Sequence, residues 1–261
     1  MDSPYISDTI SMLTDQGYHV VSMWGGDIQV IDAKIRTLLQ QDPSATIIGL
    51  SVLDDVTPST FNSTPNVYIL RTSILKSRKG PQEFILPYIY EPLKEQMPVL
   101  KKGVRPRIAF CGQTHQLERR TAINILSSTS RVDREFLLRS SFWGGKPHDP
   151  IVVSEFNQNM ASSEFNLCVR GNGNFSMRLY QTLSAGRIPV IIQSETYLPW
   201  EESIPWNEIA VIINEGDDLI EKIVHFWESH DIEHVQQLCH DIYWHHMSGK
   251  GLANNMLSYL L

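Results

Sequence analysis

The sequence predicts an α/β protein built from two doubly wound domains with parallel sheets and a cleft between them. Three observations point there. Apolar runs short enough for strands alternate with stretches of helical period. A proline-bearing segment of mixed charge interrupts this alternation near residue 100. Beyond it the same pattern begins again. The 261 residues suffice for one large domain or two small ones, and hydrophobic (42%) and charged (20%) fractions are ordinary for a globular chain.

In the first half, YHVVSM (18–23), ATIIGL (45–50) and NVYIL (66–70) read as buried strands. Between the first two, DIQVIDAKIRTLLQQ sets Val30, Ile31, Ile35, Leu38 and Leu39 at helical spacing. A helix-like stretch (7–15) precedes the first strand, where such domains usually begin with a strand. The link between domains is PLKEQMPVLKKGVRP (92–106), which has little periodicity. After it, RIAFCG (107–112), FNLCV (165–169), IPVII (188–192) and IAVII (209–213) read as strands. LERRTAINILSS, FSMRLYQTLSA and DDLIEKIVHFWESH read as helices, and 232–261 as helical and rich in histidine. The expected organisation is an N-terminal domain over 1–102, a C-terminal domain over 103–235, and helices over 236–261 that pack back on the first domain. Ligands of such folds lie at the carboxyl ends of the strands.

Bulk properties exclude several classes. A net charge of −7 argues against a nucleic-acid partner. The longest apolar runs have five or six residues, far short of a membrane span. The start, MDSPYISDT, lacks the basic and apolar regions of a signal peptide, so a soluble cytoplasmic protein is expected. Cys111, Cys168 and Cys239 are odd in number and widely spaced, which predicts reduced, buried thiols. His230 and His234 have i,i+4 spacing, but no acidic or cysteine ligand accompanies them, and no metal is expected. There is no GxSxG elbow either.

The informative stretch is VRGNGNFSMRLYQTLSAGRIPVII (169–192). Strand, glycine loop, helix and strand form a βαβ unit. Gly171 and Gly173 let the backbone approach a ligand closely. The free N–H groups of the helix start, with Arg170 and Arg178, make an anion site. Arg178 and Gln181 share one helix face. The plain alternative is a glycine turn in which Asn174 or Ser176 caps the helix. The glycines are spaced GxG without a third, so a nicotinamide-type fingerprint is unsupported.

This stretch, continued by QSETYLPWEESIPW, resembles the signature of the exostosin-like glycosyltransferases, family 47. RPRIAFCG, ERRTAI, FWGG (142–145), EFNQNM (155–160) and SSEFNLCVRG occur in the family's order, so the resemblance covers roughly 107–216. The resemblance does not extend to the first hundred residues. The resemblance implies a GT-B-like fold of two facing Rossmann-like domains. It further implies an inverting enzyme that takes a UDP-sugar of the UDP-xylose, UDP-glucuronate or UDP-galactose class to a hydroxyl of a glycan acceptor, with no bound metal or other cofactor. The donor residues it implies are Gly112, Arg120, Arg170, Gly171, Asn172, Gly173, Asn174, Phe175, Ser176, Arg178 and Gln181. Arg120 is assigned to the diphosphate. Gln181 stands where many members carry a glutamate for the ribose hydroxyls, a departure that removes a charge but keeps an acceptor. No anchor precedes the domain, so the chain is similar to the compact, soluble bacterial or large-DNA-virus members.

Inversion needs a base. In GT-B enzymes it usually comes from the N-terminal domain, where Asp55 is first choice and Asp27 and Asp54 are alternatives, each following a strand. Turns favour Asp for purely local reasons too. Glu201, after the LPW turn, is a further candidate for base or sugar contact; a solvated turn is its plain alternative. Trp143 and Gly144 in FWGG offer a ring and a flexible backbone to a sugar, against simple core packing.

Overall fold

The computed structural model describes residues 4–24, 27–52, 54–88, 97–145 and 148–258. They form two parallel sheets flanked by helices, the architecture expected above. The first sheet runs β1 (His19–Trp24), β2 (Ile47–Val52), β3 (Val67–Arg71) and β4 (Glu83–Ile85) in chain order. Helix α1 (Pro4–Asp15) precedes it and α2 (Ile28–Gln41) connects β1 to β2. The alternation within β2 explains its two coverings. Ile47 packs with Ile28, Ile31 and Ile35 of α2, whereas Ile48 and Leu50 join Leu13 of α1 in the larger core. A methyl group at Gly49 would sit 3.0 Å from Ile69 and 3.2 Å from Ile31, so α2 lies directly on the sheet there.

The second sheet has the order β6-β5-β7-β8-β9, all parallel. Its strands are β5 (Arg107–Gly112), β6 (Asp133–Leu138), β7 (Phe165–Cys168), β8 (Ile188–Ile192) and β9 (Val211–Ile213). Helices α3 (Leu117–Ser127), α4 (Pro150–Ala161), α5 (Met177–Ser184), the short α6 (Trp206–Ile209) and α7 (Leu219–Ser229) join them. Asp218 caps α7 by accepting from Ile220 and Glu221 N–H, so EGDD is the helix start its composition indicates.

After α7 come α8 (Ile232–Ile242), a π-helical turn (Tyr243–Met247) and α9 (Gly249–Ser258). Leu252 and Met256 of α9 share the core with Leu13, and the Trp200 indole donates to the Asn255 carbonyl, 3.0 Å. A boundary at residue 235 falls inside α8. Val235 and Cys239 on that helix are buried in one apolar face, and dividing them would expose it. His230 ends α7 and His234 starts the next helix, so their spacing does not put both on one helical face.

The second half of the link is held tightly. The buried Arg187 donates to the carbonyls of Pro98 and Ala161, and Gln236 pairs with both N–H and C=O of Leu100. Residues 92–96 of the link lie outside the described residues. All three cysteines are buried and free. Among the described residues no helix is long and apolar enough to cross a membrane.

Candidate active site

Strand order locates the site. The chain leaves β5 for β6 on one side and returns to β7 on the other, so a crevice opens beyond the carboxyl ends of β5 and β7. Gly112 ends β5 and the loop 169–176 follows β7. Gly112 has φ +152°, and a side chain there would meet Arg178 Nη2 at 3.3 Å. Glycine is therefore required both by the backbone and by the guanidinium beneath it.

Two arginines underlie the crevice. Arg178 lies 4.5 Å from the Phe110 ring centre and 5.7 Å from that of Phe156. Its Nη2 donates to the Cys111 carbonyl, while buried Nη1 has no protein partner. Arg119 lies 5.9 Å from the Phe110 ring centre. It gathers three carbonyls: Arg170 at 3.0 Å, Gln113 at 3.1 Å and Val169 at 3.2 Å. Burial and the neighbouring Arg178 charge pull the Arg119 pKa down to about 10, and burial lowers that of Arg178 as well. No carboxylate hydrogen-bonds either guanidinium among the described contacts. The nearby Cys168 thiol offers no compensating charge, because burial pushes its pKa up to about 12.

The glycine loop divides into two halves. Its first half is accessible: Asn172 is exposed, and Arg170 and Gly171 are half-buried. Asn172 Oδ1 accepts from Gln116 Nε2, 3.3 Å, and lies 3.3 Å from His115 Nε2, which ties this loop to the one after β5. Arg170 Nε lies 3.9 Å from Glu118. The second half turns into the N-terminal domain. Asn174 is 1% exposed. Its Nδ2 donates to the carbonyls of Ile74 and Glu195, and its Oδ1 accepts from the hydroxyls of Ser194 and Thr196. Phe175 stacks on Tyr88 at 5.1 Å. Ser176 is the N-cap of α5 but makes no side-chain cap bond. Phe175 and Ser176 also line a small open hollow with Arg170, Leu179 and Thr196. Gln181 sits half-buried on α5.

Several expectations change here. Asn174 is saturated by protein groups, so its side chain holds the domains together and is withdrawn from any donor. Arg120 is exposed and donates to the His115 carbonyl, 3.2 Å, while its neighbour Arg119 reaches the loop. Adjacent helical residues point about 100° apart, and the motif alone does not say which of the pair faces inward. Asp27 caps α2, accepting from Gln29 N–H. Asp55 accepts from Thr57 N–H, 2.8 Å, and Ile28 N–H, 3.3 Å. Although partial desolvation opposes it, these bonds and Arg71 leave its carboxyl below the usual range. Glu201 accepts from Leu198 N–H, 2.8 Å, and lies 3.5 Å from Lys76, as a turn residue would. The side chain of Trp143 lies outside the described residues. Gly144, at φ +65°, packs where a side chain would strike Val152.

Asp54 is different. It is exposed, and it faces the glycine loop so closely that a methyl group on Gly173 would stand 2.7 Å from its Oδ1. The loop carrying it is anchored from behind. Buried Arg71 pairs with Glu83 at 3.1 Å and donates to the carbonyls of Asp55 and Thr57. Buried Asp32 binds Ser59 and Thr60.

Residues 108–225 match the Exostosin GT47 domain. The exostosin-like resemblance read from the sequence is thus matched over this segment, which runs from the second residue of β5 through β9 and includes the glycine loop. A probable glucuronosyltransferase of Oryza sativa, Os02g0520750, is 34% identical over 85 residues, 30% of this chain and 20% of that protein. The exostosin-1 homolog of Caenorhabditis elegans is 38% identical over 65 residues, 25% and 17% of the two chains. The probable β-1,4-xylosyltransferase IRX10 of Arabidopsis thaliana is 32% identical over 85 residues, 30% and 21% of the two chains. The chain thus spans about a fifth of the length of these curated relatives. Among solved structures, a putative UDP-N-acetylglucosamine 2-epimerase of Listeria monocytogenes aligns over 97% of this chain and 76% of its own, with TM-score 0.40 and 13% identity. The MnaA–UDP complex of S. aureus aligns over 90% and 79%, with TM-score 0.37 and 10% identity. Likenesses this loose carry no argument about the site.

Within the matched segment, Gly173 offers a direct test of how tightly the two halves meet. In Gly173→Ala the added methyl also meets the Asp54 Cα at 2.9 Å, which is backbone and cannot swing aside. The substitution is expected to cost about 1–3 kcal/mol by overpacking. Urea denaturation checks this; a variant as stable as the parent would show that the loop and Asp54 do not touch.

Proposed function

We propose that the chain is an inverting glycosyltransferase, moving a sugar from a UDP-sugar to a hydroxyl of a glycan acceptor. The family resemblance points to a donor of the UDP-xylose, UDP-glucuronate or UDP-galactose class, and relatives named as probable glucuronosyl- and xylosyltransferases support the first two. One observation carries the reading: two half-buried guanidiniums, one with a buried and unpartnered nitrogen, share one aromatic ring with no carboxylate hydrogen-bonded to either, at the switch point of a parallel sheet. A protein seldom buries such charge without a counter-ion, and a diphosphate supplies it. The unbonded N-cap of α5 adds the positive end of a helix beside them.

In this reading the acceptor oxygen attacks the anomeric carbon as the bond from that carbon to the diphosphate oxygen breaks. UDP departs with the bonding electrons, and Arg178, Arg119 and the α5 amides stabilise the growing charge. The acceptor proton goes to a carboxylate of the N-terminal domain. We assign it to Asp54 rather than Asp55. Asp55 already accepts two backbone N–H groups, which makes it a weaker base, whereas Asp54 faces the donor loop.

UDP at one hundred times its Kd should stabilise the protein by about 2.7 kcal/mol, a Tm rise of roughly 5–11 °C for a chain this size. A Tm unmoved by UDP would remove the donor site. UDP release from a panel of UDP-sugars then tests turnover. Binding without release would favour a catalytically silent module that keeps the fold, the alternative that the Gln181 departure supports.

A further inference from the structure

One hydroxyl joins the two facing loops. Ser73, just beyond β3, is 1% exposed. Its Oγ accepts from the backbone N–H of Asn174 at 2.7 Å and donates to the backbone carbonyl of Asp54 at 3.3 Å. A single side chain of the N-terminal domain thus holds the glycine loop at one end and the acidic loop at the other. The neighbouring contacts reach the loop only through the Asn174 side chain, which binds the Glu195 carbonyl and the Thr196 hydroxyl. Ser77 binds the Glu195 carboxylate through its N–H and hydroxyl, and Leu75 bridges Thr196, both at the outer edge of the interface. They fasten the domains without touching residues 170–173.

We infer that Ser73 is a positioning residue for the diphosphate site. By taking the Asn174 amide it fixes the second half of the loop, and so directs the amides of the first half and of the α5 start toward the crevice. The same hydroxyl sets the height of Asp54 above the loop. Donor affinity then depends on a residue of the other domain that lies behind the loop, outside the crevice. This rests on the reading of the crevice as a UDP site.

The test compares the parent with Ser73→Ala and, as a control, Ser77→Ala. UDP binding is measured by calorimetry and loop mobility by hydrogen exchange of peptides covering 170–176. Ser73→Ala should weaken UDP binding roughly five- to tenfold, the loss of one or two hydrogen bonds, and speed exchange in those peptides. Ser77→Ala should loosen only the interface edge, lowering Tm while leaving the UDP Kd within twofold of the parent. Equal Kd values for Ser73→Ala and the parent would overturn the inference, and so would equal losses in both variants, which would mark a general loosening of the interface. If the parent itself does not bind UDP, the donor site is wrong. The exchange comparison then decides alone whether Ser73 holds the loop, and unchanged exchange would dismiss that too.

Discussion

Replacing Arg178 with methionine should leave the protein as stable as the parent, or more so, while sharply weakening its response to UDP. The argument is electrostatic. The guanidinium is buried, a carbonyl satisfies one of its terminal nitrogens, and the other has no partner. Arg119 adds a second positive charge nearby, and its own pKa is pulled down to about 10. A buried charge lacking a counter-ion costs several kcal/mol in the empty protein. Methionine keeps an apolar stem against Phe110 and Phe156 but brings no charge. The Cys111 carbonyl loses a donor, which offsets part of the gain. Binding suffers much more. Charge-assisted bonds to phosphate are worth about 1.5–3 kcal/mol each, so UDP affinity should fall by roughly 10- to 150-fold. Melting curves with and without UDP check both halves. A variant that melts well below the parent yet gains as much Tm with UDP as the parent does would make Arg178 a structural residue and sink the assignment.

Breaking the Arg71–Glu83 pair should have the largest effect on stability. Both side chains are at most 2% exposed. In Arg71→Met the Glu83 carboxylate loses its cation, and the carbonyls of Asp55 and Thr57 lose their donors. Removing one member of a buried pair costs about 3–5 kcal/mol. The loop that carries Asp54 is released at the same time, so turnover should fall further than the loss of folded protein explains. Arg71→Met with Glu83→Leu should recover part of the stability, because no unpaired charge remains, but not the turnover. Urea unfolding of the three proteins decides this. A loss under 1 kcal/mol in the single variant would show that the pair is solvated and does not anchor the loop.

Strands that are buried on both faces could be read directly, because β2, β3, β5, β7 and β8 are continuous apolar runs. The strands that escaped are edges. β6, DREFLL, is exposed or half-exposed throughout, so its sequence carries no buried alternation. β4 has only three residues, and Glu83 is one of them. Its charge argues for a surface until Arg71 is seen beside it. Helix α4 shows in the sequence only through the motif EFNQNM. Its exposed Ile151 and Val153 blur the apolar face.

The candidate site divides in the same way. Glycine spacing, a strand before it and a helix after it marked the loop proposed to hold an anion, because only local backbone geometry was needed to do so. Which arginine of ERRTAI faces that loop depends on helix phase against β5. Which half of the loop stays open depends on where Ser73, Ile74 and Glu195 arrive from elsewhere in the chain. Asp55 and Asp54 are adjacent and chemically equal in sequence. Only the anchoring of residues 54–60 by Arg71 and Asp32 binds one to the backbone and presents the other. By itself, then, the sequence determined the elements, their order and the loop that suits an anion, since period, composition and turn chemistry are local properties. The tertiary structure decided which charges come together and which carboxylate faces the glycine loop, since burial and distance arise only when remote segments meet.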